Sequence, residues 1–248
     1  MKYLRQNIVV FYFLLFGMAC PHSEQNESQR AFTDEQLQLE RERMVHEQIF
    51  QRGVRDSLVL EALRKVPRHL FVPPSSIAEA YDDHPLHIGK GQTISQPYIV
   101  AFMTEQLDLQ GNERVLEVGT GSGYQAAVLA EIAHEVYTIE IIEELAYQAQ
   151  ARLQKMNYQN IFVRHGDGYR GWPEKAPFDA IMVTAAPKHI PKPLLEQLKP
   201  GGRMILPVGD YYQDLILITK SKDGKQIKQQ RVLPVRFVPM TGEAEKHK

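Results

Sequence analysis

The chain has 248 residues, 43% of them hydrophobic and 24% charged, proportions that suit one globular domain with a sizeable buried core. Its 29 basic and 30 acidic residues nearly cancel, and no Lys/Arg stripe breaks the balance, which argues against a nucleic-acid footprint. A single cysteine excludes a disulfide framework, and His84 and His87, the one close histidine pair of the folded part, have no third ligand nearby, so no metal is expected.

In chain order, Lys2 and Arg5 precede an apolar run from Ile8 to Phe16 and the small-residue stretch Gly17-Met18-Ala19-Cys20. A positive start, a short greasy stretch and a cleavable end form a secretory signal layout, and the run is too short for a comfortable membrane span. Residues 1–20 are therefore read as a signal-type segment, with export or membrane attachment through the N-terminus as the expected location. Ala19-Cys20 resembles a bacterial lipoprotein signal, although Gly17 stands where such signals usually carry an aliphatic residue. Residues 21–31 are polar and read as a tether.

From Phe32 the periodicity becomes that of folded protein. Thr33 and Gln36 fit a capping box for a helix with Leu37, Met44, Val45 and Ile49 on one face, ended by Gly53. Asp56 is placed to cap a short second helix carrying Val59, Leu60 and Leu63, which stops before Pro67. Arg68 to Tyr98 is rich in Pro, Gly and His, shows little periodicity, and reads as a long ordered loop of the kind that carries function. Strands are predicted at Val115–Glu117, Val136–Glu140, Ile161–Arg164, Asp179–Thr184 and Arg203–Val208, and helices at Gln125–Ile132, Glu143–Met156 and Pro191–Leu198. That alternation implies a parallel sheet covered on both faces. Leu215–Thr219 and Val232–Val238 flank the polar turn at Asp223-Gly224 as an antiparallel hairpin would. The fold class is α/β: a Rossmann-like doubly wound sheet, mostly parallel with an antiparallel C-terminal hairpin, plus a small N-terminal helical subdomain. Residues 32–98 hold the N-terminal helices and a substrate loop, 99–242 the core, and 243–248 a tail.

The strongest local motif is Val115-Leu116-Glu117-Val118-Gly119-Thr120-Gly121-Ser122-Gly123. Glycines between a strand end and a helix start let the backbone turn sharply and let a ligand approach closely. Glu140 closes the next strand, where a carboxylate can accept hydrogen bonds from ribose hydroxyls. A dinucleotide fingerprint wants a sixth-position glycine, but that position is Tyr124. Acidic-x-Gly-x-Gly-x-Gly, with Glu117 leading, resembles class I S-adenosylmethionine methyltransferases, whose sulfonium and ammonium charges suit a nearby carboxylate. Asp167 in His165-Gly166-Asp167-Gly168, after the third strand, is placed to bond an adenine amino group. Tyr169 and Trp172 are read as core aromatics, and Arg43, Arg52 and Arg55 as a solvated helix face.

Gly91-Gln92-Thr93-Ile94-Ser95-Gln96-Pro97-Tyr98, with Arg68-His69, Pro85-Leu86 and Ile88-Gly89 before it, is similar to the segment that distinguishes protein-L-isoaspartate O-methyltransferases. The resemblance continues through Glu117–Gly123, Gly166–Tyr169, Ala176–Asp179, Thr184–Pro187, Gly201–Arg203 and Val235–Pro239, covering roughly residues 41 to 242. It implies S-adenosyl-L-methionine as cofactor, held by Gln92, Thr93, Ile94, Glu117, Gly119, Gly121, Gly123, Glu140, Asp167, Gly168 and Thr241. It implies Ser95 as the reactive-site serine and substrate contacts from Ile94, Ser95, Gln96, Pro97 and Val235, with isoaspartyl-containing proteins and peptides as partners and no nucleic acid. Most members resemble cytoplasmic proteins, the alternative location here. The oligomeric state is left open.

The reaction so implied is methyl transfer to the free α-carboxylate of an L-isoaspartyl residue. A carboxylate with a pKa near 4 is already ionised at neutral pH and needs no general base. No Gly-x-Ser-x-Gly elbow surrounds Ser95, so it is read as an orienting donor. The rival readings are a nicotinamide-dependent oxidoreductase on the same sheet and an exported lipoprotein that keeps the fold as a binding module. Tyr124 and Glu117 speak against the first, and the intact Thr93-Ile94-Ser95 and Gly-Asp-Gly elements against the second.

Overall fold

The apolar runs after residue 113 pair into one seven-stranded sheet. The computed structural model describes residues 32–246; the expected signal segment, the tether and the membrane-attachment site lie outside the described residues. The sheet strands are β3 (Arg114–Val118), β4 (Glu135–Glu140), β5 (Ile161–His165), β6 (Phe178–Val183), β7 (Leu198–Gly209), β8 (Gln213–Lys220) and β9 (Ile227–Val235), in spatial order β5-β4-β3-β6-β7-β8-β9. The first five are mutually parallel, and β7-β8-β9 run antiparallel. The chain winds outward from β3 to β5 and then returns to β6 on the other side of β3. That reversal opens a crevice at the carboxyl ends of β3 and β6, where ligands of open α/β sheets bind.

Period-two alternation sorts the strand residues onto two faces. Val115, Val136, Ala180, Met182 and Ile205 join one buried cluster, whereas Leu116, Val118, Tyr137, Ile139, Ile181, Val183 and Met204 join the other. Both faces are covered, which is why these strands read as near-continuous Val/Ile/Leu runs. Helices α4 (Tyr124–Ala130), α5 (Glu143–Lys155) and α6 (Lys192–Gln197) connect the strands.

The N-terminal helices share the first of these cores. Helix α1 (Asp34–Arg43) carries the expected capping box between Thr33 and Gln36. It runs on through a π-helical turn at Met44–Ile49 and a tighter turn at Phe50–Arg52, ended by Gly53 at φ 105°. Leu37, Met44, Val45 and Ile49 are all buried. Asp56 caps α2 (Ser57–Lys65) by accepting from the Leu58 and Val59 amides.

Two expectations need correction. The stretch from Arg68 to Tyr98 is not one loop. It holds two 3₁₀ turns (Arg68–Phe71 and Pro74–Glu79), an antiparallel pair β1 (Leu86–Gly89) and β2 (Gln92–Ile94), and the first turn of α3 (Pro97–Gln106). Strands of three and four residues are too short for alternation to show, and helix α3 runs across the position between residues 98 and 99. The second hairpin strand is β9, Ile227–Val235, and not Val232–Val238. Its first half, Ile-Lys-Gln-Gln-Arg, lies exposed on the sheet edge and so carries no apolar signal. Residues 236–238 have left the strand by the time they reach the crevice.

Candidate functional site

The turn after β3 is built around Gly119 and Gly121, at φ 101° and 52°, a region that disfavours any side chain. A Cβ at Gly119 would lie 2.3 Å from Thr184 Oγ1, because that hydroxyl donates to the Gly119 carbonyl at 2.7 Å and locks the end of β6 to the turn. Glu140, at the end of β4, is 5% exposed. Its Oε2 accepts from the Gly121 amide (2.8 Å) and its Oε1 from the Ile142 amide (2.9 Å). Two amides thus aim the carboxylate while each oxygen keeps a lone pair for a further donor.

These residues line a cleft together with Gln92, Thr93, Ile139, Ile141, Ile142, Gly168, Thr184, Met240 and Thr241. Glu140 is the only charged side chain among them. The turn's amides are also committed: Gly119 and Thr120 donate to the Ile139 carbonyl, Gly121 to Glu140, and Gly123 to the Thr120 carbonyl. A pyrophosphate favours a glycine turn with free amides or nearby cations; here four of the turn's amides are already bonded, and among the described residues no cationic side chain lines the cleft. A ligand with hydroxyls, a flat apolar portion and positive charge suits the wall, and S-adenosylmethionine has all three.

A second, wider cleft of about 1570 Å³ opens beside it, lined by Pro85, Ser95, Gln96, Ile99 and the run from Pro234 to Pro239. A smaller recess holds Ile94, Ser95, Thr120, Ser122, Tyr124 and Gln125. Thr93 and Thr184 line all three spaces, so the clefts meet at these two threonines with Ser95 alongside. No hydrogen bond within the described residues engages the Ser95 hydroxyl, which leaves it available to a ligand.

Ser95 sits between β2 and α3 and is held from behind. Gln96 donates through Nε2 to the Asp83 carbonyl (2.9 Å) and to Asp83 Oδ2 (2.8 Å). Asp83 is also paired with Arg52, whose guanidinium lies 3.6 Å from the Tyr98 ring centroid. Arg52 is therefore part of the scaffold of the serine loop and not simply a solvated face. Sequence reading missed both Arg52 and Asp83, because the contacts join irregular segments far apart in the chain.

The structure redistributes several other expected roles. Glu117 lines none of these clefts. It is completely buried, its Oε2 accepting from Thr138 Oγ1 at 2.5 Å, and Thr138 in turn is 2.6 Å from Thr120 Oγ1. Burial pushes its carboxyl up to about 8; the Thr138 bond opposes the shift and the Glu140 charge adds to it. Glu117 thus supports the glycine turn through a hydroxyl chain and does not face a cation directly. Gly123 is also outside the clefts: a Cβ there would crowd Leu153 and Ala149 of α5 at 3.3–3.4 Å, so its role is helix packing. Pro97 is buried as the first residue of α3. Asp167 uses Oδ1 to accept from the Tyr169 amide (2.9 Å) and Oδ2 to accept from the Glu243 amide (2.7 Å), tying the C-terminal segment to the loop after β5. Gly168 lines the first cleft where a Cβ would strike Val118 Cγ1 at 2.3 Å. Trp172 packs against Tyr137 with centroids 5.5 Å apart, as a core aromatic should.

Missed from the first cleft were Ile139, Ile141, Ile142, Val238 and Met240. The apolar pair directly after Glu140 was a usable signal for a wall against a flat ring.

Comparison with known proteins draws these features together. The family model described as protein-L-isoaspartate(D-aspartate) O-methyltransferase matches residues 39–245. Protein-L-isoaspartate O-methyltransferase 2 of Shewanella sediminis is 58% identical over 208 residues, which is 83% of this chain and 84% of that one. Protein-L-isoaspartate O-methyltransferase 1 of Syntrophobacter fumaroxidans is 56% identical, covering 83% and 96% respectively. Among solved structures, a protein-L-isoaspartate O-methyltransferase superposes with a TM-score of 0.75 at 29% identity, over 82% of this chain and 67% of that one. A Plasmodium falciparum β-aspartate methyltransferase in complex with S-adenosyl-L-homocysteine superposes with a TM-score of 0.68 at 25% identity, over 81% and 98%.

Proposed function

The chain belongs to the protein-L-isoaspartate(D-aspartate) O-methyltransferase family, and from that premise we propose how its two clefts divide the work. The reaction is transfer of the methyl group of S-adenosylmethionine to the free α-carboxylate of L-isoaspartyl residues in damaged proteins and peptides, the step that starts their return to L-aspartyl. When bound, the cofactor supplies an electrophilic methyl group on a sulfonium. The first cleft would hold it: Glu140 would accept from ribose hydroxyls, Gly119, Gly121 and Gly168 would let the backbone come close, and Ile139, Ile141 and Met240 would supply the apolar wall for the adenine. Gln92 and Thr93 would close it on the side of β2, with Ile94 in the adjoining recess, and Thr241 on the side of the C-terminal segment. Asp167 acts through the segments it joins, by fixing Gly168 and the stretch from Thr241 to Glu243.

The second cleft takes the substrate chain, with Gln96 and Val235 both in its lining. Its carboxylate reaches the junction at Thr93 and Thr184, where the Ser95 hydroxyl donates to one oxygen and sets its approach. No base is required, since the nucleophile is already an anion. The residues contribute alignment and exclusion of water, and alignment of this kind is worth roughly 7–11 kcal/mol of barrier.

The observation that carries this reading is the meeting of both clefts at Thr93 and Thr184 beside an uncommitted serine hydroxyl. Ser95→Ala is expected to lower kcat by about 1–3 kcal/mol of transition-state stabilisation, the scale of one charge-assisted bond. Cofactor affinity, measured by calorimetry, stays near that of the wild type. Wild-type turnover in the alanine variant would remove Ser95 from the mechanism.

The N-terminal layout, from Lys2 and Arg5 to Ala19-Cys20, supports export or membrane attachment of this enzyme. Cell fractionation with mass measurement of the N-terminus tests it. A soluble cytosolic chain with residues 1–20 intact and unmodified contradicts it.

A further inference from the structure

Among the described residues, Arg236 is the only charged side chain lining the substrate cleft. It is exposed and forms no ion pair among the described residues. Acids of the adjoining segments are already matched: Asp214 of β8 with Arg231, Asp210 of the β7–β8 turn with Lys188, and Asp83, which holds the cleft residue Gln96, with Arg52. Among the described residues the charge of Arg236 thus has no ion-pair partner, and it is the one formal charge on the wall formed by residues 234–239.

The position of Arg236 decides what it meets. Thr93 and Thr184 line both the cofactor and substrate clefts, whereas Arg236 lines only the latter. Val238 and Pro239 also line both clefts, so Arg236 lies on the substrate side of the junction, next to it in the chain but not part of it. Its backbone is fixed from both sides. Val235 is paired with Gln213 in the sheet, and the Gln213 side chain bonds Phe237 twice, accepting from its amide at 2.6 Å and donating to its carbonyl at 3.1 Å. The exposed Arg236 side chain is thus carried by a fixed wall of the substrate cleft, beside the path of the polypeptide that flanks the target residue.

We propose that Arg236 is a specificity-determining residue, pairing with acidic side chains that flank the isoaspartyl residue in the substrate. This rests on the function proposed above. A partly exposed pair of this kind contributes modestly, so the preference for an acidic over a neutral flank amounts to about two- to five-fold. It acts on binding and is weakened by salt.

The test uses three isoaspartyl peptides that differ only in flanking residues: Glu, Gln or Lys. With the full-length wild-type enzyme, kcat/KM falls in the order Glu, Gln, Lys, the difference lies in KM, and about 0.5 M NaCl removes it. Arg236→Lys keeps the order and Arg236→Glu reverses it. An order that survives unchanged in Arg236→Glu, or a difference carried by kcat, overturns the inference while leaving the enzyme assignment standing. Failure of the wild type to methylate any of the three contradicts the assignment, and the inference with it.

Discussion

At the scale of single residues, the site shows that one residue type does different jobs according to what surrounds it. Glu140, Asp167 and Glu117 are all carboxylates near the cofactor cleft, yet only Glu140 faces into it. Glu140 and Asp167 each accept from two backbone amides. Glu140 lines the cleft with lone pairs to spare, whereas the bonds of Asp167 join two loops. Glu140→Ala is therefore expected to weaken S-adenosylmethionine binding by about 1.5–3 kcal/mol, the range for hydrogen bonds to a charged group. Asp167→Ala is expected to lower the melting temperature of the apo protein as well as cofactor affinity, because the Tyr169 and Glu243 amides lose their acceptor. Calorimetry and thermal melts on the two variants separate these outcomes. An Asp167→Ala protein that melts like the wild type would contradict the anchoring role.

At the scale of elements, the serine loop depends on a clamp that has no counterpart in local sequence. Asp83 holds Gln96 and Arg52, and Arg52 lies over Tyr98, so three irregular or helical segments fix the approach to α3. Asp83→Ala should lower kcat several-fold with cofactor affinity little changed, since the clamp positions Ser95 and not the cofactor cleft. Steady-state kinetics with calorimetry on the variant checks this; unchanged kcat would show that the clamp is dispensable. The same contrast explains what the sequence reveals and what it hides. Strands β3, β4 and β6 were legible because both of their faces are buried, which forces runs such as Val115-Leu116 and Ile181-Met182-Val183. The glycine turn was legible because positive φ and the close approach of Thr184 admit little else at Gly119. Strands β1 and β2 were hidden by their shortness, and β9 by its exposed edge. The direction in which Glu117 and Asp167 point was hidden too, because a strand or turn position does not say which hydrogen bond a carboxylate will find.

At the scale of the whole molecule, the buried Glu117 carboxyl links the site to stability. Its folded value of about 8 lies above its ordinary value of 4.5. Between those two pH values the folded protein holds a proton that the unfolded chain has released. The contribution is full below about pH 4.5 and is lost as pH rises toward 8. Glu117→Gln, which cannot titrate, should flatten the decline of melting temperature across this window; an unaltered slope would contradict the buried, protonated state. All of these features serve one chemical distinction, between a free α-carboxylate on a kinked backbone and an ordinary aspartyl side chain. The most direct measurement offers the purified enzyme methyl-labelled S-adenosylmethionine with an isoaspartyl peptide or with its normal aspartyl twin. Label is expected on the isoaspartyl peptide alone, as a base-labile ester. Equal labelling of the two peptides, or none of either, would contradict it.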